Sequence, residues 1–458
     1  MKAAQQKNAI FISFDALAVS GITVEAVKIA RLLQSHGYRC YMDLGYDIKI
    51  DKGNFGKPYN DEFLMYQDVF TLTRIDDIIS LPDYNPEYID HVHNVLISQK
   101  TQLDEEQHNH LVANVESLAE HISDCIVAQW ERLCIRNVII ENGTLPENII
   151  YTKALYLSIE KYGQRHDLKK FVVWRDHDLM WNSEKTIKKY GSPPYHFAVK
   201  PKKSPYINYV TLNSHLKKML EEWCDNNIEV LVKKNTYDFS EPRPRYNIRN
   251  LLGISDEDIL FARTTRIIPQ KRIDRDINII YHLNNLFKEN NSNRRVYLAI
   301  AGSPDECPDY TSELEKLTQS LGSESYVKFI GILPHEFFES DINKISIDDL
   351  YYSCDVVSFL TSYDYDSYGN PIGEAISHKR CYITTSYEYY QEVYGKHGFE
   401  APVLMISEFN DGLATSEFIN ELFEFLNDGD RMKLNANNNF EKGKQILSHS
   451  ILEIMNID

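Results

Sequence analysis

Asp355-Val356-Val357-Ser358-Phe359-Leu360, followed closely by Asp364-Tyr365-Asp366-Ser367-Tyr368-Gly369-Asn370-Pro371-Ile372-Gly373-Glu374-Ala375-Ile376, reads as an apolar strand, a glycine-containing loop and the start of a helix. Asp366 and Glu374 stand eight residues apart across that loop. Such a loop presents backbone N–H groups and a helix N-terminus, which favour an anionic or hydroxyl-rich ligand. Two fixed carboxylates are good acceptors for sugar hydroxyls. Taken alone, an acidic pair of this kind more often marks a solvated turn whose acids cap a helix.

The same alternation of short apolar runs and longer helical periods extends in both directions, the pattern of parallel strands joined by crossover helices in an α/β protein. Downstream of residue 240 the candidate strands are Ile259-Leu260-Phe261-Ala262, Val296 to Ala301, Val327 to Ile330, Asp355 to Leu360 and Tyr382 to Thr384. Upstream they are Ala9-Ile10-Phe11-Ile12, Tyr38 to Leu44, Val138-Ile139-Ile140, Phe171 to Trp174, Tyr209 to Leu212 and Ile228 to Val232. A helix from about Ile22 to Ser35 carries Ala26, Val27, Ala30 and Leu33 on one face. Residues 59–107 fit neither pattern and suggest an insertion or a lid. Between the two series, Ser240-Glu241-Pro242-Arg243-Pro244-Arg245 places prolines at alternate positions, which disfavours helix and central strand alike and reads as a linker. The expected organisation is a Rossmann-like domain over 1–240, a second over 241–440, and a C-terminal segment over 441–458. Ligands of doubly wound sheets lie beyond the carboxyl ends of the strands, so the residues just after each strand are the ones to inspect.

The whole chain has 458 residues, 43% of them hydrophobic, and a formal net charge of −18. That length accommodates two or three domains with cores of their own. The acidic balance argues against a nucleic-acid partner or an anionic membrane surface. Seven scattered cysteines form no C-x-x-C pair, against a disulfide framework or zinc knuckle. Polar Gln5, Gln6, Lys7 and Asn8 stand where a signal peptide would need its apolar run, and no membrane-length apolar stretch occurs, so a cytoplasmic protein without an integral membrane segment is expected.

The segment Asp366-Ser367-Tyr368-Gly369-Asn370-Pro371-Ile372-Gly373-Glu374-Ala375 resembles the E-x7-E signature of retaining GT-B glycosyltransferases of family 4, with Asp in place of the first Glu. That resemblance implies two Rossmann-like domains facing a cleft, with the last helix, Gln445 to Met455, packed across their junction. It also implies that Glu374 accepts from the ribose of a nucleotide sugar, that Asp366 sits by the transferred sugar, and that the Gly369, Asn370, Pro371 and Ile372 backbone lies against sugar and phosphate. Arg266 and Lys271, in Thr264-Thr265-Arg266-Ile267-Ile268-Pro269-Gln270-Lys271-Arg272, lie on a strand-end loop where two cations can converge on a departing diphosphate. They resemble the family's R-x4-K motif, with Arg272 where the family often has Gly; an Arg there would narrow the loop's freedom or add a phosphate contact. By the same resemblance Gly21, in Ser20-Gly21-Ile22-Thr23, belongs to the turn near the diphosphate, Gly302 lines the base or diphosphate pocket, and His177 helps position the transferring sugar.

Two D-x-D triplets, Asp176-His177-Asp178 and Asp364-Tyr365-Asp366, are candidate metal pairs. With Arg266 and Lys271 at hand, the expectation is no metal site and no cofactor, the donor nucleotide sugar being a substrate. Lys200, Lys202, Lys203 and His196 form a local basic cluster that reads as a solvated loop or as a grip on an acidic acceptor. The expected activity is retaining transfer of a hexosyl unit, from a UDP- or GDP-sugar, to a soluble small-molecule, glycan or peptide acceptor. Alternatives are a non-catalytic nucleotide-sugar sensor or scaffold of the same fold, and a GT-B phosphorylase or epimerase.

Overall fold

The computed structural model describes residues 7–13, 21–43, 69–82, 84–182, 188–240, 246–333, 345–448 and 451–455. The chain is α/β and divides into two compact units, Met1–Lys234 with Ser450–Asp458, and Asn235–His449. Each is built on one parallel sheet.

In the first unit the strands are β1 (Lys7–Ser13), β2 (Tyr38–Asp43), β3 (Thr71–Thr73), β4 (Ile135–Glu141), β5 (Val172–Asp176), β6 (Ile207–Thr211) and β7 (Val230–Val232), in the order β3-β2-β1-β4-β5-β6-β7. Their continuous apolar runs follow from burial on both faces: Ala9 through Ile12 and Val138 through Ile140 are at most 1% exposed. Register sets Ser13 opposite Glu141 and Glu141 opposite Arg175, so polar residues line up at the carboxyl ends of three neighbouring strands. The helix Gly21–Ser35 buries the expected Ala26, Val27, Ala30 and Leu33, and Glu25 with them.

The stretch 59–107 falls partly outside the described residues. Its described portion contributes β3 to the sheet edge, short helical turns, and the start of the 28-residue helix Glu105–Arg132, capped by the Asp104 side chain. That helix lays Leu111, Val115, Ala119, Ile122 and Ile126 against the core at helical spacing.

In the second unit β8 (Ile259–Arg263), β9 (Val296–Ile300), β10 (Val327–Phe329), β11 (Val356–Phe359), β12 (Cys381–Thr385) and β13 (Val403–Leu404) run in the order β10-β9-β8-β11-β12-β13. The chain winds outward from β8 in one direction and from β11 in the other. The switch point is therefore the β8–β11 pair, where open α/β sheets hold their ligands. The loops after both strands are the two that carry the basic and acidic motifs.

The division between units falls at Lys234, ahead of the expected residue 240, because Asn235 to Phe239 pack onto second-unit helices. Asn235 Nδ2 and the Tyr237 hydroxyl both bond Asn370 Oδ1, at 2.6 and 2.8 Å, and Phe239 meets Phe440 edge to face. Residues 241–245 of the expected linker lie outside the described residues. The expected helix from Gln445 to Met455 is replaced by a helix Gly429–Ile446 and a 3₁₀ turn Ile451–Ile454. That turn belongs to the first unit, where Asn208 Nδ2 donates to the Ile454 carbonyl at 2.9 Å and Lys233 pairs with Glu453 at 2.5 Å.

Candidate functional site

At the switch point of the second sheet, the loop after β8 and the loop after β11 are stitched together. The Ser362 N–H and hydroxyl both donate to the Gln270 carbonyl, at 3.0 and 2.8 Å. This puts Lys271 Nζ 2.6 Å from Asp366 Oδ1, while Thr361 donates its hydroxyl to the other Asp366 oxygen. The Lys271 ammonium also lies 5.0 Å from the Tyr365 ring centroid and 5.4 Å from that of Phe359. Burial lowers its proton affinity; the Asp366 charge opposes this, and nearby Arg263 and Arg266 reinforce it, so the group is held below the usual lysine range. Arg266 is thus close enough to be felt at Lys271, as convergence on one ligand requires. Its guanidinium is paired with Glu306, in the loop after β9.

Arg272 adopts φ = 50°, a left-handed conformation that glycine takes most easily. Its guanidinium pairs with Asp274 at 3.0 Å and Asp411 at 3.5 Å, so in this structure its charge is spent on carboxylates.

The helix Asn370–Ser377 starts from Gly369 at φ = 83°, where a Cβ would stand 2.7 Å from the Tyr387 hydroxyl. Pro371 has no N–H and the Ile372 N–H closes a turn onto the Gly369 carbonyl, so neither offers a backbone donor to a ligand. Asn370's side chain holds the segment Asn235–Tyr237 in place. One turn along, Glu374 accepts a hydrogen bond from Tyr351, whose hydroxyl also lies 2.6 Å from Thr264 Oγ1. Gly302 packs directly against the Thr265 carbonyl, beside Arg266.

In the first unit, His177 is 5% exposed. Its Nε2 lies 2.8 Å from Glu141 Oε2, and its backbone N–H donates to Asn142 Oδ1 at 2.6 Å. Arg175 lies within ion-pair distance of both Glu141 and Glu25, at 3.7 and 3.5 Å. Burial pushes the Glu25 carboxyl up, but Lys28, Arg175 and His177 outweigh it and hold the group below its usual range. Gly21 opens the adjoining helix and is exposed; Ser20 and the loop before it, 14–20, lie outside the described residues. Lys200 leans over the Trp223 ring and lies 3.5 Å from Asp225, a half-exposed pair of small energetic weight.

The triplet around His177 is organised by Thr144, whose N–H and hydroxyl both donate to Asp176, at 3.1 and 2.7 Å. Asp176 is completely buried, and burial pushes its carboxyl up to about 7. Because the folded value exceeds the unfolded one near 4, the protonated group favours the fold at low pH, and that contribution is lost as pH rises through about 7. Asp176→Asn is therefore expected to gain on the wild type by about 3 kcal/mol between pH 5 and pH 9. Urea unfolding of both proteins at the two pH values checks this; parallel stability curves would contradict it. Among the described residues no three His, Cys, Asp or Glu side chains gather to hold a metal ion, and no helix is long and apolar enough to cross a membrane.

No protein-family model matches the chain. Over 333 residues it is 22% identical to the mannosylglucosylglycerate synthase of Petrotoga mobilis, spanning 68% of this chain and 73% of that protein. It is similar in structure to sucrose-phosphate synthase from Thermosynechococcus elongatus, with a TM-score of 0.61, 12% identity, and coverage of 96% and 95% of the two chains. Anabaena HepE, solved in complex with UDP-glucose, gives a TM-score of 0.59 at 14% identity over 98% of this chain and 96% of its own. The fold is that of the GT-B glycosyltransferases. Within this GT-B chain, Tyr351, Thr264 and Glu306 join the second-unit motif residues, and Glu141, Arg175 and Glu25 surround His177. No sequence motif marks these six roles. Glu306 was within reach of the carboxyl-end rule, four residues beyond Gly302. Tyr351 lies on the helix before β11 and carries no pattern of its own.

Proposed function

We propose that the chain is a retaining GT-B glycosyltransferase of the family 4, E-x7-E type. It moves a hexosyl unit from a UDP- or GDP-sugar to a soluble acceptor without a bound metal. The observation that carries this reading is the meeting of Lys271 and Asp366 at the β8–β11 switch point, with Arg266 close by and Glu374 one helical turn beyond the loop.

In this reading Glu374 accepts from the ribose hydroxyls and Asp366 from hydroxyls of the transferred sugar. The bond between the anomeric carbon and the diphosphate oxygen breaks, and its electron pair stays on that oxygen. Arg266 and Lys271 then stabilise a charge that grows toward the transition state. The acceptor oxygen bonds to the anomeric carbon on the face being vacated, and its proton passes to the departing phosphate oxygen. His177, anchored by Glu141, positions the sugar. Arg266 and Lys271, assigned here to the diphosphate, would supply the positive charge that a metal otherwise brings, which supports a reaction without metal. The relative's name, mannosylglucosylglycerate synthase, supports a small polar acceptor over a lipid. The UDP-glucose bound to HepE makes uridine nucleotides the first donors to try.

Calorimetric titration with UDP, GDP, ADP and dTDP, without metal and then with Mg²⁺, tests the reading. One nucleotide is expected to bind without metal, and Glu374→Ala to weaken it about 30-fold, the size of a lost charge-assisted hydrogen bond. Asp366→Ala is expected to spare free nucleotide and lower transfer. Unchanged nucleotide affinity in both variants would remove Glu374 from the ribose; binding without turnover would favour the sensor or scaffold.

A further inference from the structure

We infer that Tyr351 is a positioning residue for nucleotide recognition, which aims the Glu374 carboxylate at the ribose and ties it to the basic loop through Thr264. The inference rests on the glycosyltransferase reading above and concerns a residue outside its motifs.

The geometry fixes more than proximity. Tyr351 is 1% exposed, on the helix Ile347–Ser353, which a reciprocal pair of bonds between Ser346 and Asp349 caps at its N-terminus. Its hydroxyl meets two partners, Glu374 Oε2 and Thr264 Oγ1. Burial and the Glu374 charge hold the phenol well above its usual range, so it keeps its proton. An ionised carboxylate only accepts, so the Tyr351 proton goes to Glu374. Tyr351 then has no proton left for Thr264, and the 2.6 Å contact can be a hydrogen bond only with Thr264 as donor. The direction of the chain follows from proton counting: Thr264 to Tyr351 to Glu374.

Two consequences follow. The Thr264 hydroxyl, two residues before Arg266, has turned its proton inward, so toward a ligand that hydroxyl can accept but not donate. Glu374 has one oxygen held in place, which restricts its side chain and removes part of the rotamer freedom that binding would otherwise have to freeze. His378 adds to the rigidity: its ring lies 4.9 Å from that of Tyr351, its Nδ1 is 2.8 Å from the Glu374 carbonyl, and its Nε2 is 3.1 Å from Asp348. A tyrosine that served only to fill the core would not need its hydroxyl on a motif carboxylate.

The test compares a nucleoside diphosphate with its 2′,3′-dideoxy analogue, on wild type, Tyr351→Phe and Thr264→Val, by calorimetry. Wild type is expected to prefer the ribose form by more than 30-fold. In Tyr351→Phe that preference is expected to shrink about tenfold, with affinity for the dideoxy analogue changed less than threefold. Thr264→Val should shrink it in the same direction by about threefold, and it carries the test if the phenylalanine variant does not fold. Equal losses for both ligands would assign Tyr351 to packing alone, and an undiminished preference would uncouple it from Glu374; either result overturns the inference. Failure of the wild type to bind any nucleoside diphosphate overturns the glycosyltransferase reading itself, and this inference with it.

Discussion

Lys271→Met is expected to lower sugar transfer about a thousandfold, and the double variant Lys271→Met/Asp366→Asn is expected to recover stability without recovering transfer. Lys271 and Asp366 have side chains only 11% and 15% exposed, so each relies on the other for solvation it has given up. Removing the ammonium alone leaves the Asp366 carboxylate with the Thr361 hydroxyl and no cation, a defect that costs about 3 kcal/mol in comparable buried pairs. Neutralising Asp366 as well removes the orphaned charge. Catalysis follows different arithmetic: loss of a preplaced cation at a departing diphosphate costs about 4 kcal/mol of transition-state stabilisation, which is the thousandfold. Urea unfolding and steady-state transfer on both variants separate the two effects. A double variant that regained transfer along with stability would show that Lys271 acts only to neutralise Asp366.

The same pair shows why much of this site could be read in the sequence and part of it could not. Lys271 and Asp366 lie in separate motifs, yet each falls beyond the carboxyl end of a strand that is largely apolar, Arg263 in β8 and Ser358 in β11 aside, because both of its faces are buried. Strands of that kind, such as Ile259–Arg263 and Val296–Ile300, stand out from their surroundings. The edge strands Thr71–Thr73 and Val403–Leu404 have three and two residues and lack such a run, so they escape notice. Proline spacing points to a boundary near residue 240, but the division at Lys234 is made by Asn235 and Tyr237 reaching Asn370, a contact between residues more than 130 positions apart. Tyr351 and Glu141 escape for the same reason. What marks them is the partner, Glu374 in one case and His177 in the other, and neither lies within a turn of them in sequence.

Gly302→Ala is expected to cost about 3 kcal/mol of stability, the upper range for overpacking a tight core, and to weaken nucleotide binding at least tenfold. A Cβ at this position would lie 2.3 Å from the Thr265 carbonyl oxygen and 3.0 Å from Ile267 Cγ1. A side chain in the way could turn aside, but the nearest obstacle here is backbone, so the chain itself must move. The carbonyl belongs to the loop that leads from Arg263 to Arg266. That loop is pinned at its start, where the Ala301 N–H donates to the Arg263 carbonyl at 2.8 Å. The end of β9 and the start of the basic loop cannot separate at Gly302 while remaining bonded one residue earlier, so the strain passes forward into Arg266. Gly429→Ala provides the contrast, because a Cβ there meets nothing within 4 Å and the residue is exposed at the first turn of its helix. It should leave both stability and affinity within the range of an ordinary surface change. If Gly302→Ala proved as mild as Gly429→Ala, the close approach of the two loops would not be what this glycine is for, and its place beside Arg266 would have to be explained by direct contact with the nucleotide.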